Sequence, residues 1–161
     1  MNVSPSTSQK LMHRFLMMKS VSACLGNVLC RADTILLHLT NDRYTFTGFA
    51  GLPILQLTTS GAKTGKLRTS PLVGLRDGNK IALIASSFGR AHNPGWYFNL
   101  KAHPECVVRF NGRTETFIAR ETDGDEREKY WQLALSYYAG YERYQARVGR
   151  KIPVMLLEPK I

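Results

Sequence analysis

Three stretches of the 161-residue chain carry residue types that can do chemistry. The first is Gly61-Ala62-Lys63-Thr64-Gly65-Lys66-Leu67-Arg68, which packs three cations and two glycines into eight residues. Glycine lets a backbone turn tightly and approach a ligand closely. Successive backbone N–H groups in such a turn form an anion-binding nest. Lys63 and Lys66 add point charge, and Arg68 adds a bidentate fork. The stretch is not a P-loop: the glycines are too close together, and Leu67 stands where Ser or Thr would bind magnesium. By its own residues it reads either as an anion grip or as a charged hairpin tip.

The second stretch joins Ala85-Ser86-Ser87-Phe88-Gly89 to Asn93-Pro94-Gly95-Trp96-Tyr97-Phe98-Asn99. Small polar residues and a glycine at a strand end can set a hydroxyl and backbone N–H groups against a flat heterocycle. Three consecutive aromatics must face different sides of a helix, to pack a core or, for Trp96, to cover a bound ring. The third is the cluster Tyr137, Tyr138, Tyr141 and Tyr144, of which the last three recur every third residue. A phenol can donate a proton or a hydrogen bond to a substrate oxygen; packing at a helix junction is the other use of such a cluster. No metal site is expected, because His13, His38, His92 and His103 are scattered away from Cys or carboxylate partners. There is no G-x-S-x-G elbow and no recognition-helix or zinc-finger spacing for nucleic acid.

These residues must be positioned by a chain of ordinary apolar content with a formal net charge of +10. Residues 1–120 hold 15 Lys/Arg against 5 Asp/Glu, whereas residues 121–161 hold 7 of each. The excess therefore lies in the part that contains the Gly-rich turn, and such a field attracts phosphates, polycarboxylates, nucleic acid or anionic lipid. The three cysteines, Cys24, Cys30 and Cys106, are odd in number and form no C-x-x-C, so a disulfide framework is not expected. Val21-Ser22-Ala23-Cys24 resembles a lipoprotein cleavage box, but the apolar run before it, Phe15 to Met18, is far shorter than a secretory core. No stretch is long and apolar enough to span a bilayer. The expected location is the cytoplasm.

The expected elements follow from periodicity. Leu11, Phe15, Met18, Ser22, Leu25 and Leu29 step by 4, 3, 4, 3, 4 and form one face of a helix. That helix covers one side of the core or, with its basic flanks, lies on the inner membrane face. Thr34–Leu39 continues as a second short helix. Pro53–Thr59, Thr69–Arg76 and Lys80–Ser86 read as strands, with Asp77-Gly78-Asn79 closing a hairpin. A helix is expected over Gly95–Ala102, ended by Pro104, and a second hairpin over Glu105–Phe110 and Arg113–Arg120. Asp123 and Glu126 have the spacing of a capping box for a helix reaching Tyr137, with Tyr130, Leu133 and Ala134 inward. A short helix over Tyr141–Val148 and a strand over Ile152–Leu157 finish the chain. The sum is an α+β, mainly β, six-stranded barrel in one domain: residues 1–50 helical, residues 51–161 the barrel.

Taken in this order, the stretches resemble the deazaflavin-dependent nitroreductase family over Leu52 to Pro159. The resemblance is carried by Leu57-Thr58-Thr59, Gly61, Lys63-Thr64-Gly65-Lys66, Arg68-Thr69 and Pro71-Leu72. It continues through Arg76-Asp77-Gly78, Ala85-Ser86, Asn93-Pro94-x-Trp96-Tyr97-x-Asn99-Leu100, Tyr141-x-x-Tyr144-Gln145 and Ile152-Pro153-Val154. It implies an FMN-binding-like split β-barrel that binds coenzyme F420, a deazaflavin with a phosphate and a polyglutamate tail. Ala62, Lys63, Thr64, Lys66, Arg68, Thr69, Ser70, Pro71, Leu72 and Val73 would then hold the phosphate and chain. Ile84, Ala85, Ser86, Ser87, Gly95, Trp96, Tyr97, Phe98 and Asn99 would flank the ring. Ser86, Tyr138, Tyr141 and Tyr144 match the substrate side, as catalytic residues. The implied activity is hydride transfer from reduced deazaflavin to a quinone, enone or nitro compound.

Three departures stand out: Ala62 for the family's usual Arg, Ser87-Phe88 for Lys-Gly, and Ala139 for Pro. The alternatives are an FMN-binding split-barrel oxidoreductase and a non-catalytic binder of a lipid or tetrapyrrole. A nucleic-acid binder rests on charge alone. Monomer and homodimer are equally open.

Overall fold

The computed structural model describes residues 51–160 together with Ile35, which is helical. The expected helix over residues 11–29, the Cys24 cleavage-box segment and all of the second short helix except Ile35 lie outside the described residues.

The described chain runs β1 (Ile54–Ser60), β2 (Leu67–Val73), β3 (Leu75–Asp77), β4 (Lys80–Ile84), a 3-10 turn (Ser87–Gly89) and α1 (Gly95–Ala102). It continues with β5 (Glu105–Phe110), β6 (Arg113–Glu121), α2 (Gly124–Tyr137), α3 (Gly140–Arg147) and β7 (Val154–Pro159). The strands form one antiparallel sheet in the order β2-β1-β5-β6-β7-β4-β3. The fold is mainly β, an α+β split-barrel-like architecture, with seven strands where six were expected.

The extra strand comes from Gly74. The run expected as one strand over Thr69–Arg76 breaks there, and each half takes a different partner. Residues 67–73 pair with β1, from Ile54↔Val73 to Ser60↔Leu67, whereas residues 75–77 pair with β4. A Cβ at position 74 would overlap Leu55 Cδ2 and lie 3.2 Å from Ile81 Cγ2, so the bend needs glycine for space. Its N–H donates to the Pro53 carbonyl at 2.9 Å. Because β2 and β3 stand at opposite ends of the strand order, this one-residue bend curls the sheet back on itself. Pro71 is tolerated on β2 because that strand ends the order and needs no second ladder.

Strands β4 and β7 are buried on both faces, and their period-2 alternation splits the core in two. Ala82, Ile84, Val154 and Leu156 face a cluster with α2 and α3, which contribute Tyr130, Trp131, Ala134 and the tyrosines. Ile81, Leu83, Met155 and Leu157 face the other, with Trp96 and Leu100 of α1 and Phe117 of β6. Leu133 is only half-buried at the edge of the first cluster.

The expected capping box does not form. Asp123 is the N-cap of α2, in extended conformation, but its side chain makes no capping hydrogen bond. Glu126 instead accepts a two-pronged contact from Arg120 of β6, at 2.6 and 2.8 Å. A charge-assisted fork outcompetes the neutral N–H that a box would offer.

Candidate active site

The Gly-rich stretch is the β1–β2 turn, its strands in register up to Ser60↔Leu67. Gly61 N–H donates to the Lys66 carbonyl at 2.9 Å, and Gly65 N–H to the Gly61 carbonyl at 2.8 Å. Gly65 takes φ +65°, which glycine adopts without steric cost. Residues 62–69 are all exposed, and Ser70 to Val73 are half-buried along β2. No carboxylate pairs with Lys63, Lys66 or Arg68 among the described residues. The turn therefore presents bare cations.

The turn is fixed to α1 by one side chain. Asn99 is buried, its Oδ1 accepts from Ala62 N–H at 2.9 Å, and its Nδ2 donates to Thr59 Oγ1 at 3.0 Å. Expected beside a ring, Asn99 spends its amide on placing the turn. The three aromatics of α1 do face different ways. Trp96 is buried in the core, Tyr97 donates its hydroxyl to Glu121 at 3.0 Å, and Phe98 is exposed. Lys101 meets the same carboxylate at 2.9 Å. Gly95 opens the helix, exposed.

At the end of β4, Ile84, Ala85 and Ser86 are buried and Ser87 is half-buried. Ser87 and Phe88 both take left-handed backbone, φ +49° and +57°. Each such non-glycine residue costs on the order of 1–3 kcal/mol and persists only where its surroundings hold it. Phe88 stands where the resemblance expects glycine, so the turn has kept a glycine-type backbone under a bulky side chain. The turn packs on α3: a Cβ at Gly89 would lie 3.1 Å from Tyr144 Cδ1.

The tyrosines gather where α2 meets α3. Tyr138 caps α2, and Tyr141 and Tyr144 follow in α3. Their ring centroids lie 5.5, 6.0 and 6.2 Å apart, and the Tyr138 and Tyr144 hydroxyls are 3.2 Å apart. A Cβ at Gly140 would overlap the Tyr138 ring, so this glycine lets the ring fold back over the junction. Burial pushes all three phenols above their ordinary range. Tyr137 points outward. The structure thus ties the turn to α1 through Asn99, and the loop after β4 to the tyrosine cluster through Tyr144.

The sequence reading missed Arg150 and quoted Gln145 only within the tyrosine motif, without a role. Arg150, between α3 and β7, donates from Nε to the Ala91 carbonyl at 3.1 Å. Its Nη2 donates to the carbonyls of Ala85, Arg90 and His92 at 3.2, 3.3 and 3.3 Å. Gln145 accepts from Ile152 N–H and donates to the Arg150 carbonyl, both at 2.8 Å, fixing the connection that carries Arg150. The only sequence signal for Arg150 was adjacency to Ile152-Pro153-Val154, whereas Gln145 stood in the Tyr141-x-x-Tyr144-Gln145 motif. Cys106 is no nucleophile: burial pushes its thiol up to about 12.

Residues 29–159 match the family described as F420H(2)-dependent quinone reductase. The chain belongs to this family. It is 33% identical over 136 residues to an F420H(2)-dependent quinone reductase of Mycobacterium tuberculosis, covering 83% of this chain and 91% of that protein. Among solved structures it is similar to an F420-H2 dependent reductase, FDR-A, at 42% identity and TM-score 0.62, over 66% of this chain and 94% of that one. A heme binding protein of Mycobacterium smegmatis shares the fold at 17% identity and TM-score 0.55, over 70% of this chain and 48% of that one.

Proposed function

We propose that the chain passes a hydride from reduced coenzyme F420 to a quinone-type acceptor, with the β1–β2 turn gripping the anionic part of the coenzyme. The observation that carries this reading is the exposed trio Lys63, Lys66 and Arg68, bare of carboxylate partners on a turn locked to α1 by Asn99. The donor set fits a phosphate and a carboxylate-rich tail through side chains: point charges near the bend and a guanidinium fork on β2, the N–H groups of Gly61, Ala62, Thr64, Gly65 and Lys66 being already used within the protein. Thr64, Thr69 and Ser70 add hydroxyls along the same path, and Pro71, Leu72 and Val73 an apolar edge. Ala62 removes one cation from this grip, and Lys66 supplies the nearest replacement.

The bound reduced deazaflavin supplies the hydride. Ala85, Ser86 and Ser87, with the start of α1, border the ring. A quinone accepting a hydride also needs a proton at oxygen. Tyr138 and Tyr144, mutually hydrogen-bonded and held protonated by burial, keep that proton beside the loop that bears Ser86. The apolar cluster around them excludes water from the acceptor side.

Titration of oxidised F420 and of FMN against intrinsic tryptophan fluorescence tests the reading, with oxidation of reduced F420 by a soluble quinone as the activity. Saturable binding of F420, in preference to FMN, is expected. Lys63→Ala with Arg68→Ala should weaken F420 at least tenfold, and more at low salt, while stability changes by no more than about 0.5 kcal/mol as for other exposed sites. Unchanged F420 affinity in the double variant would remove the anion grip.

A further inference from the structure

Arg150 makes four hydrogen bonds outside the proposed cofactor contacts, and its partners are all backbone. Four carbonyls of one loop, Ala85, Arg90, Ala91 and His92, converge on its guanidinium at 3.1 to 3.3 Å. Two more carbonyls of the same loop are used within it: Gly89 N–H donates to Ser86 at 2.9 Å and Arg90 N–H to Ser87 at 3.2 Å. A loop whose carbonyls point at a common centre is curled around that centre. No carboxylate pairs with Arg150 among the described residues, and its buried Nη1 has no partner there. Its charge is therefore committed to holding this loop.

The same loop carries the left-handed pair Ser87 and Phe88. Neither residue's N–H has a protein partner among the described residues, so both are donors held outside the loop's own hydrogen bonding. Unfavourable backbone of this kind persists only where the surroundings over-determine it. Two contacts do so here: the packing of Gly89 on Tyr144, and the four hydrogen bonds from Arg150.

We infer that Arg150 is a positioning residue for the ring side of the site, holding the Ala85–His92 loop in its left-handed turn so that it is already shaped when the deazaflavin ring arrives. This rests on the reading that Ala85 to Ser87 border the ring. Without Arg150 the loop relaxes toward ordinary backbone, only a fraction of molecules carry the competent turn, and apparent affinity falls by that fraction. The grip on the tail shares no hydrogen bond with Arg150 and is untouched.

Arg150→Met keeps the alkyl stem and removes the donors. Binding is followed by tryptophan fluorescence with two probes: F420, and a deazaflavin lacking the phosphate and polyglutamate. Arg150→Met should weaken both at least tenfold, whereas Lys63→Ala with Arg68→Ala weakens F420 alone. Phe88→Gly relieves the left-handed turn, so adding it to Arg150→Met should recover at least threefold of the lost affinity. Simple loss of packing at Arg150 would not be rescued this way. Binding by Arg150→Met within twofold of wild type, or no recovery in the Phe88→Gly double variant, overturns the inference. Should Arg150→Met fail to fold, Arg150→Lys takes its place with an expected loss of at least threefold, and a loss under twofold overturns it equally. If the wild type binds F420 but substitutions at Ala85 or Ser87 leave binding of the deazaflavin lacking the tail unchanged, the ring-side reading itself is overturned.

Discussion

Burial decides the protonation of the three clustered tyrosines. Each is taken out of water beside other aromatic rings, where burial disfavours the charged phenolate. Their ionisation is accordingly pushed upward, desolvation being the largest cause at all three positions. Arg147, over the Tyr144 ring at 5.8 Å, opposes the shift only partly. The pair Tyr138–Tyr144 therefore holds its protons through the neutral range, and in the proposed reaction its role would be that of a donor, not a base. Tyr138→Phe should lower kcat by about 100-fold, the lower end for a lost general acid, and leave F420 affinity within about twofold. In the wild type no tyrosine should limit activity below about pH 10, the ordinary phenol value. Activity that rises between pH 8 and 10, with the rise lost in Tyr138→Phe, would show that a phenolate is being used.

Helix α1 and the β1–β2 hairpin behave as one unit because Asn99 spans them. Asn99→Ala removes a buried bridge and leaves Ala62 N–H and Thr59 Oγ1 without their partner, at a cost of about 1–3 kcal/mol. It should also weaken F420 severalfold by freeing the turn, an effect that Asn99→Asp, which keeps the acceptor for Ala62 N–H, would partly avoid; thermal melts and titrations of both variants check this. The sequence indicated α1 and both hairpins correctly, since Asn-Pro, Pro104 and the turn glycines act locally. Gly74 was not readable as a strand break, because its need for glycine comes from Leu55 and Ile81, far along the chain. The capping box failed for a related reason: Arg120, on another element, claims Glu126. Arg150 escaped notice because its partners are backbone carbonyls, which leave no residue-type signature. The tyrosine spacing, by contrast, signalled a real cluster, although the three rings meet across a helix junction instead of along one face.

The charges of the whole molecule are sorted by use. The turn presents bare cations, while the outer face of β4, β7 and β6 is stitched by pairs centred on Glu158. Lys80 meets it at 2.6 Å and Arg120 at 3.1 Å, and Arg120 reaches on to Glu126 at the start of α2. These pairs cross strands that do not follow one another in sequence, so they favour the closed sheet over the unfolded chain. Hydrogen bonds from Arg120 and then Lys80 hold the Glu158 carboxyl down at about 2, below its ordinary 4.5. A carboxylate lowered in the folded state stabilises fully above its unfolded value and loses that contribution as it becomes protonated. The contribution is therefore complete above about pH 4.5 and fades as the pH falls toward 2. Solvent reaches these side chains, which limits its size. Glu158→Gln should lower Tm at pH 7 by no more than about 4 °C. The difference from wild type should stay constant down to about pH 4.5 and shrink below it. Melting curves of both proteins from pH 7 to pH 3 read this directly, and a Tm difference that grows on acidification would place the stabilising charge elsewhere. Because these pairs lie apart from the turn, F420 affinity should be the same in Glu158→Gln and wild type at pH 7.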